Sequence, residues 1–301
     1  MKLHANEVHI SEQLVRGLLA SQFPQWADLP LMQIKPAGTD NVIFNLGTEM
    51  CVRLPRIPSA ASDIEKEQKW LPKLAPHLPF KIPSPLGKGL PSEHYPFHWS
   101  VYNWLEGKDA LTAKIADFNQ LAKDLAQFLK ALQKIDTASG PLAIHHNRRG
   151  TPLACRDVEV REAIVALKTM FNPEALTALW DEALHAPDWK CNPVWLHGDL
   201  LPGNILIHQG CLNAVIDFSG LSVGDPACDL MIAWNLLSTE SRQVFRTELG
   251  VDDATWARGR GHALSQALIF IPYYLHTHPV GVEQARRTVH NILAEAKGVK
   301  E

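Results

Sequence analysis

The chain has 301 residues, of which 46% are apolar and 20% charged, so it can bury one large core or two modest ones. A formal net charge of −3 lacks the basic surplus that nucleic-acid binding or adhesion to an anionic membrane brings, and neither partner is expected. The five cysteines, at 51, 155, 191, 211 and 228, have no paired short spacing. They fit neither a disulfide framework nor a zinc site, so free thiols and a cytoplasmic location are expected.

From Met1 to Pro24, charged and polar residues recur throughout, with Ile10, Leu14 and Leu18 at helical spacing. That predicts an amphipathic helix rather than a signal peptide. Short runs rich in Val, Ile, Leu and Phe follow at Leu31 to Ile34, Asn41 to Leu46 and Met50 to Leu54. They predict strands, the last two joined through Gly47-Thr48-Glu49. A charged helix is predicted over Ser62 to Leu78, then an extended connector over 72–96, which holds seven prolines, and another strand over Phe97 to Trp104.

Beyond Gly107, Ile115, Phe118, Ala122, Leu125, Leu129 and Leu132 recur every three or four residues and mark a long amphipathic helix. Helical patterning also covers 156–186 and 227–297. One strand-rich island, 194–218, interrupts it, with a turn at Gln209-Gly210. The longest apolar run, Ala267 to Leu275, is too short to span a bilayer. The division expected is a lobe over residues 1–106 and a larger helical lobe over 107–301.

The chemistry-bearing stretch is Val194-Trp195-Leu196-His197-Gly198-Asp199-Leu200-Leu201-Pro202-Gly203-Asn204, with Ile216-Asp217-Phe218 following. An apolar strand delivers a carboxylate at a turn, an amide comes five residues later, and a second carboxylate ends the next hairpin. Phosphoryl transfer uses one carboxylate to take the attacking hydroxyl's proton. It uses a second carboxylate and an amide oxygen to hold Mg²⁺ against the phosphates. Protein kinases space their catalytic Asp and metal-binding Asn identically. Asp199 is thus the candidate base, and Asn204 and Asp217 the candidate metal ligands. Singly, each is as well explained as a turn or strand-end residue; the combination carries the reading.

His197-Gly198-Asp199 with Asn204, then Ile216-Asp217-Phe218, then Gly224-Asp225-Pro226-Ala227-Cys228-Asp229-Leu230, resembles the aminoglycoside phosphotransferase and choline kinase-like superfamily. The resemblance implies an α+β, bilobal, protein-kinase-like fold. Its N-lobe would be a small antiparallel β-sheet with one helix and its C-lobe larger and mainly helical, with ATP or GTP as donor. It also implies that Asp225 and Asp229 brace the catalytic loop, and that the acceptor is a small hydroxylated molecule. An aminoglycoside-type antibiotic is the most direct implication; a metabolite of the choline, homoserine, methylthioribose or fructosamine type is the alternative.

The nucleotide site departs from the family pattern. The resemblance puts a lysine on the third strand, but this chain has Arg53 in Val52-Arg53-Leu54, with Glu67, or else Glu65, as its partner. An arginine bridges phosphate oxygens with a planar fork of different reach. No glycine-rich loop is present; Ala37-Gly38-Thr39-Asp40-Asn41 stands where one would lie, with Thr39 and Asn41 as candidate phosphate contacts. Ser100 to Gly107 matches the family's interlobe hinge. The base would bond to backbone near Asn103 and Leu105, with Tyr102 lining the pocket. Arg53 also leaves open a nucleotide-binding pseudoenzyme. His197-Gly198-Asp199 in place of His-Arg-Asp argues against a protein kinase. His145-His146, and His276 with His278, lack companion ligands at metal-site spacing.

Overall fold

The computed structural model describes residues 7–34, 40–143, 149–296 and 298. The chain divides into two compact units. The first takes Met1–Pro76, Lys81–Glu106 and Ala214–Ser219; the second takes His77–Phe80, Gly107–Asn213 and Gly220–Glu301. No single cut of the sequence produces this division, because the stretch containing Asp217 joins the first unit.

The first unit begins with helix α1 (Glu12–Gln22), whose first turn is closed by the Ser11 hydroxyl accepting from Leu14 N. Strands β1 (Leu31–Gln33), β2 (Asn41–Leu46), β3 (Met50–Pro55), β4 (Pro85–Gly89) and β5 (Trp99–Asn103) form an antiparallel sheet in the order β1-β2-β3-β5-β4. Val42, Phe44, Leu46, Val52, Leu54 and Val101 pack with Val15, Leu18 and Leu19 of α1 into one core. Register places Arg53 opposite Ile43 on one side and Ser100 on the other.

Two expectations shift. Helix α2 runs Pro58–Leu74 rather than 62–78. Pro58 serves as a first helical residue, where its missing N–H costs nothing, and Pro76, with no N–H to continue the ladder, lies in the short 3-10 turn Ala75–His77 that follows the helix. The proline-rich connector contains β4, paired only with β5 and irregular between Pro85 and Gly87. An edge strand tolerates proline because its outer N–H groups have no ladder to complete.

The second unit holds β6 (Lys108–Asp109), helices α3 (Phe118–Gln133), α4 (Asp157–Ala166) and α5 (Pro173–His185), and strand β7 (Val194–Leu196). Strands β8 (Ile205–His208), β9 (Cys211–Val215) and β10 (Ser222–Gly224) come next. Helices α6 (Ile232–Asn235), α7 (Thr239–Leu249), α8 (Asp253–Tyr274) and α9 (Pro279–Ala296) complete it. Gln209 and Gly210 both take positive φ, 51° and 83°, the conformation a two-residue hairpin turn requires between β8 and β9. Strand β7 pairs antiparallel with β10, and α8 packs against α4, α5 and α9. The cysteines are free thiols. Among the described residues, no helix is long and apolar enough to cross a membrane.

Candidate active site

In the first unit, β3 carries Arg53 and the middle of α2 carries Glu67 to the same buried point. Arg53 Nη1 donates to Glu67 Oε1 at 2.7 Å, and Nη2 donates to Asp217 Oδ1 at 2.9 Å. Glu67 is only 1% exposed and Arg53 8%. The hydroxyl of Tyr102 donates to the other Glu67 oxygen, Oε2. The Asn41 amide, with its oxygen turned to the guanidinium, accepts from Nη2 at 3.0 Å and Nε at 3.3 Å. Burial alone would lower the Arg53 pKa, but the Glu67 and Asp217 carboxylates override it and hold the guanidinium well above its usual range. For Glu67 burial wins over Arg53, and its pKa is raised.

Asp217 stands at φ 61°, an uncommon conformation for a residue with a side chain, just after β9. Its Oδ1 also accepts from Ser219 N at 3.4 Å, and Lys66 Nζ donates to the Ser219 carbonyl. Glu65 is exposed and pairs instead with Lys88 at 2.7 Å, so Glu67 is the partner of Arg53. Asn103 is tied to Ser84: its Oδ1 accepts from Ser84 N at 2.6 Å and its N donates to Ser84 O at 3.1 Å. Leu105 is buried just beyond β5. Thr39 lies outside the described residues, as do Ala37, Gly38 and His145-His146.

In the second unit, β7 leads into the loop His197-Gly198-Asp199. Gly198 takes φ 76°, and a Cβ there would stand 2.1 Å from the Gly220 carbonyl oxygen. Only glycine fits, which explains the middle residue of the motif. Asp229 lies beneath the loop, its Oδ2 accepting from His197 N at 2.7 Å and its Oδ1 from Gly198 N at 2.8 Å. Its complete burial lifts the carboxyl pKa to about 6 against the pull of those two amides. Asp199 N donates to His197 Nδ1 at 3.2 Å, so the ring takes the tautomer with its proton on Nε2. The Asn204 Nδ2 donates to the Asp199 carbonyl at 2.9 Å. Asp225 caps the turn Pro226–Met231 through Ala227 N, and Arg258 Nε donates to its Oδ2 at 2.7 Å.

Sequence reasoning missed one residue here. Arg149 Nη1 donates to Asp199 Oδ1 and, at 3.1 Å, to the Gly198 carbonyl. No spacing signal points to it, because its partner lies 50 residues away. Among the described residues, no group of three or more His, Cys, Asp or Glu side chains is arranged to hold a metal ion. A magnesium site made of one carboxylate, one amide and phosphate oxygens needs no such group.

The chain belongs to the phosphotransferase enzyme family, whose model matches residues 33–262. The fold is similar to that of the GDP complex of wild-type aminoglycoside 2'-phosphotransferase-IIIa, with a TM-score of 0.73 at 18% identity, covering 95% of this chain and 100% of that one. It is also similar to ADP-bound aminoglycoside phosphotransferase APH(2'')-Ib, with a TM-score of 0.60 at 16% identity over 95% and 99% of the two chains. Macrolide 2'-phosphotransferase MphH from Brachybacterium faecium, an apoenzyme, has a TM-score of 0.58 at 23% identity over 87% and 93%. No curated protein sequence matches the chain.

Proposed function

We propose that this phosphotransferase moves the γ-phosphoryl group of ATP or GTP to a hydroxyl of a small molecule, with Asp199 as the base. The observation that carries the reading is the Asp199–Asn204 pairing within one loop. With Nδ2 spent on the Asp199 carbonyl, the Asn204 side chain turns its oxygen away as an acceptor for a cation. The GDP and ADP in similar structures support a nucleotide donor.

Asn204 Oδ1 and the Asp217 carboxylate are hard oxygen donors of the kind Mg²⁺ takes, and Asp217 keeps 37% of its side chain exposed, so the residues fit that ion. When bound with the phosphates, Mg²⁺ would neutralise charge developing on the leaving oxygen. Arg53 has a double task. Four of its five N–H hydrogens go to Glu67, Asp217 and Asn41, which orients Asp217, and the fifth remains for a phosphate oxygen. Thr39 and Asn41 add phosphate contacts, and Tyr102, Asn103 and Leu105 border the base.

Asp199 accepts the acceptor hydroxyl's proton as its oxygen bonds to phosphorus, while the nucleoside diphosphate leaves with the electron pair of the broken bond. An aminoglycoside-type antibiotic is the first acceptor to test, given the similar structures. The Arg149 contact favours the second reading, a metabolite kinase, because it places a cation against Asp199. Nucleoside diphosphate release should be followed for wild type and Asp199→Asn with Mg²⁺, ATP or GTP, and pooled antibiotics and metabolites. Acceptor-dependent release that survives in Asp199→Asn would remove the base from the reading.

A further inference from the structure

Among the described residues, Arg149 is the ionic partner of Asp199, and no part of the proposed chemistry uses it. Its Nη1 bridges Asp199 Oδ1 and the Gly198 carbonyl, so it holds the loop at both residues. The other carboxylate oxygen, Oδ2, lies 3.4 Å from Asn204 Nδ2. Both oxygens of Asp199 are therefore engaged before any acceptor arrives. The side chains of Arg149 and Asp199 are 19% and 18% exposed, open enough for an incoming molecule to meet both.

We propose that Arg149 sets the acceptor class, selecting a hydroxyl compound that carries a carboxylate or phosphate group and disfavouring polycations. The inference rests on the reading of Asp199 as the base. To use Asp199, the acceptor hydroxyl must take over a position the guanidinium holds. An anionic group on the acceptor gives the guanidinium a new partner for its planar fork as it yields that position, so its charge stays compensated. The same contact orients the neighbouring hydroxyl toward Asp199. A polycation offers the guanidinium nothing and adds like charge beside it.

Arg156 and Arg258 are buried in the same unit, Arg156 donating to Ser265 Oγ at 3.3 Å and Arg258 paired with Asp225. Burial holds His262 neutral, with Arg156, Arg258 and Arg149 adding to that effect and the Asp225 carboxylate opposing it. The chemical step is unchanged: the acceptor oxygen bonds to the γ-phosphorus, its proton passes to Asp199, and the bond to the nucleoside diphosphate breaks with its electron pair on the leaving oxygen.

The test is a matched acceptor series: glycerate and glycerol phosphate as anions, glycerol as the neutral member, and kanamycin as the polycation. Turnover with ATP or GTP and Mg²⁺ is compared for wild type, Arg149→Gln and Arg149→Lys. In wild type, the anionic members should exceed the others in kcat/KM by about tenfold or more, the size expected of one charge-assisted contact. Arg149→Gln should lose that preference mainly through KM, and Arg149→Lys should keep part of it. Higher kcat/KM for kanamycin than for either anion in wild type, or an equal drop for anionic and neutral members in Arg149→Gln, would overturn the assignment.

Thermal shift on protein saturated with ADP or GDP keeps the proposal decidable if no member of the series is a good substrate. Glycerate or glycerol phosphate should raise the Tm of wild type and leave Arg149→Gln unmoved; no anion-induced shift in wild type counts against the assignment. The Asp199→Asn variant separates the two levels. Undiminished turnover there sinks the base reading itself, whereas lost turnover with no charge preference sinks only the role of Arg149.

Discussion

Oδ1 of Asp217 lies 2.9 Å from Nη2 of Arg53, although 164 residues separate the two in sequence. The same guanidinium holds Glu67 at 2.7 Å, so one cation on β3 serves two carboxylates from different parts of the chain. A lysine has a single nitrogen with which to bridge both. The arginine is therefore a fork that fixes the direction of Asp217 as well as a counter-charge.

Removing that fork has a measurable cost. Arg53→Ala strands the Glu67 carboxylate in a buried position, and a loss of ~3–5 kcal/mol in urea unfolding is expected. Arg53→Lys keeps the charge and one contact, so its loss should be about half as large. Tyr102→Phe removes the hydroxyl donor to Glu67 Oε2, and ~1–3 kcal/mol should follow. Because Arg53 and Tyr102 share Glu67, the double variant should depart from additivity.

Asp199→Asn should lower turnover by roughly two to four orders of magnitude with little change in Tm, since its amide preserves the shape of the loop. Activity measured alongside thermal unfolding checks both halves of that statement.

Gly198→Ala should damage structure and activity together. The added Cβ would stand 2.1 Å from the Gly220 carbonyl oxygen, at a φ of 76° that alanine resists. Backbone strain and the required displacement together predict ~3 kcal/mol or more. A variant with unchanged Tm and unchanged activity would mean that the close approach of Gly198 and Gly220 is not maintained in solution.

His262 gives the second unit a defined sensitivity to acid. Burial, with the charges of Arg156, Arg258 and Arg149 and against that of Asp225, lowers its pKa from 6.5 to about 3, and its Nε2 has no hydrogen-bond partner among the described residues. The unfolded chain therefore binds a proton between those values and the folded chain does not, so stability from this group falls as pH falls. By pH 5 the loss is ~2 kcal/mol. Asp229 acts with opposite sign. Its raised pKa makes the folded state the better proton binder between 3.8 and about 6, which restores ~1 kcal/mol by pH 5. His262→Met should abolish the decline between pH 7 and pH 5, read from urea midpoints at each pH.

The local features were legible in the sequence because they are set by neighbours in the chain. Short runs rich in Val, Ile, Leu and Phe marked β2 and β3, helical spacing marked α3, and the five-residue step from Asp199 to Asn204 marked a loop whose amide turns back on the Asp199 carbonyl. The edge strand β4 was hidden because prolines, which deny it a central place in a sheet, still permit an outer one.

Only tertiary structure decided the rest, because the energies concerned are paid between distant segments. Glu67 rather than Glu65 meets Arg53 because the buried face of α2 falls there, while Glu65 turns out to Lys88. Asp217 joins the first unit, beside Arg53, although the hairpin that delivers it starts in the second. Arg149 reaches Asp199 across 50 residues, a contact with no periodicity or motif to announce it. Sequence named the candidate groups; the meeting of distant charges in buried places determined which of them hold one another.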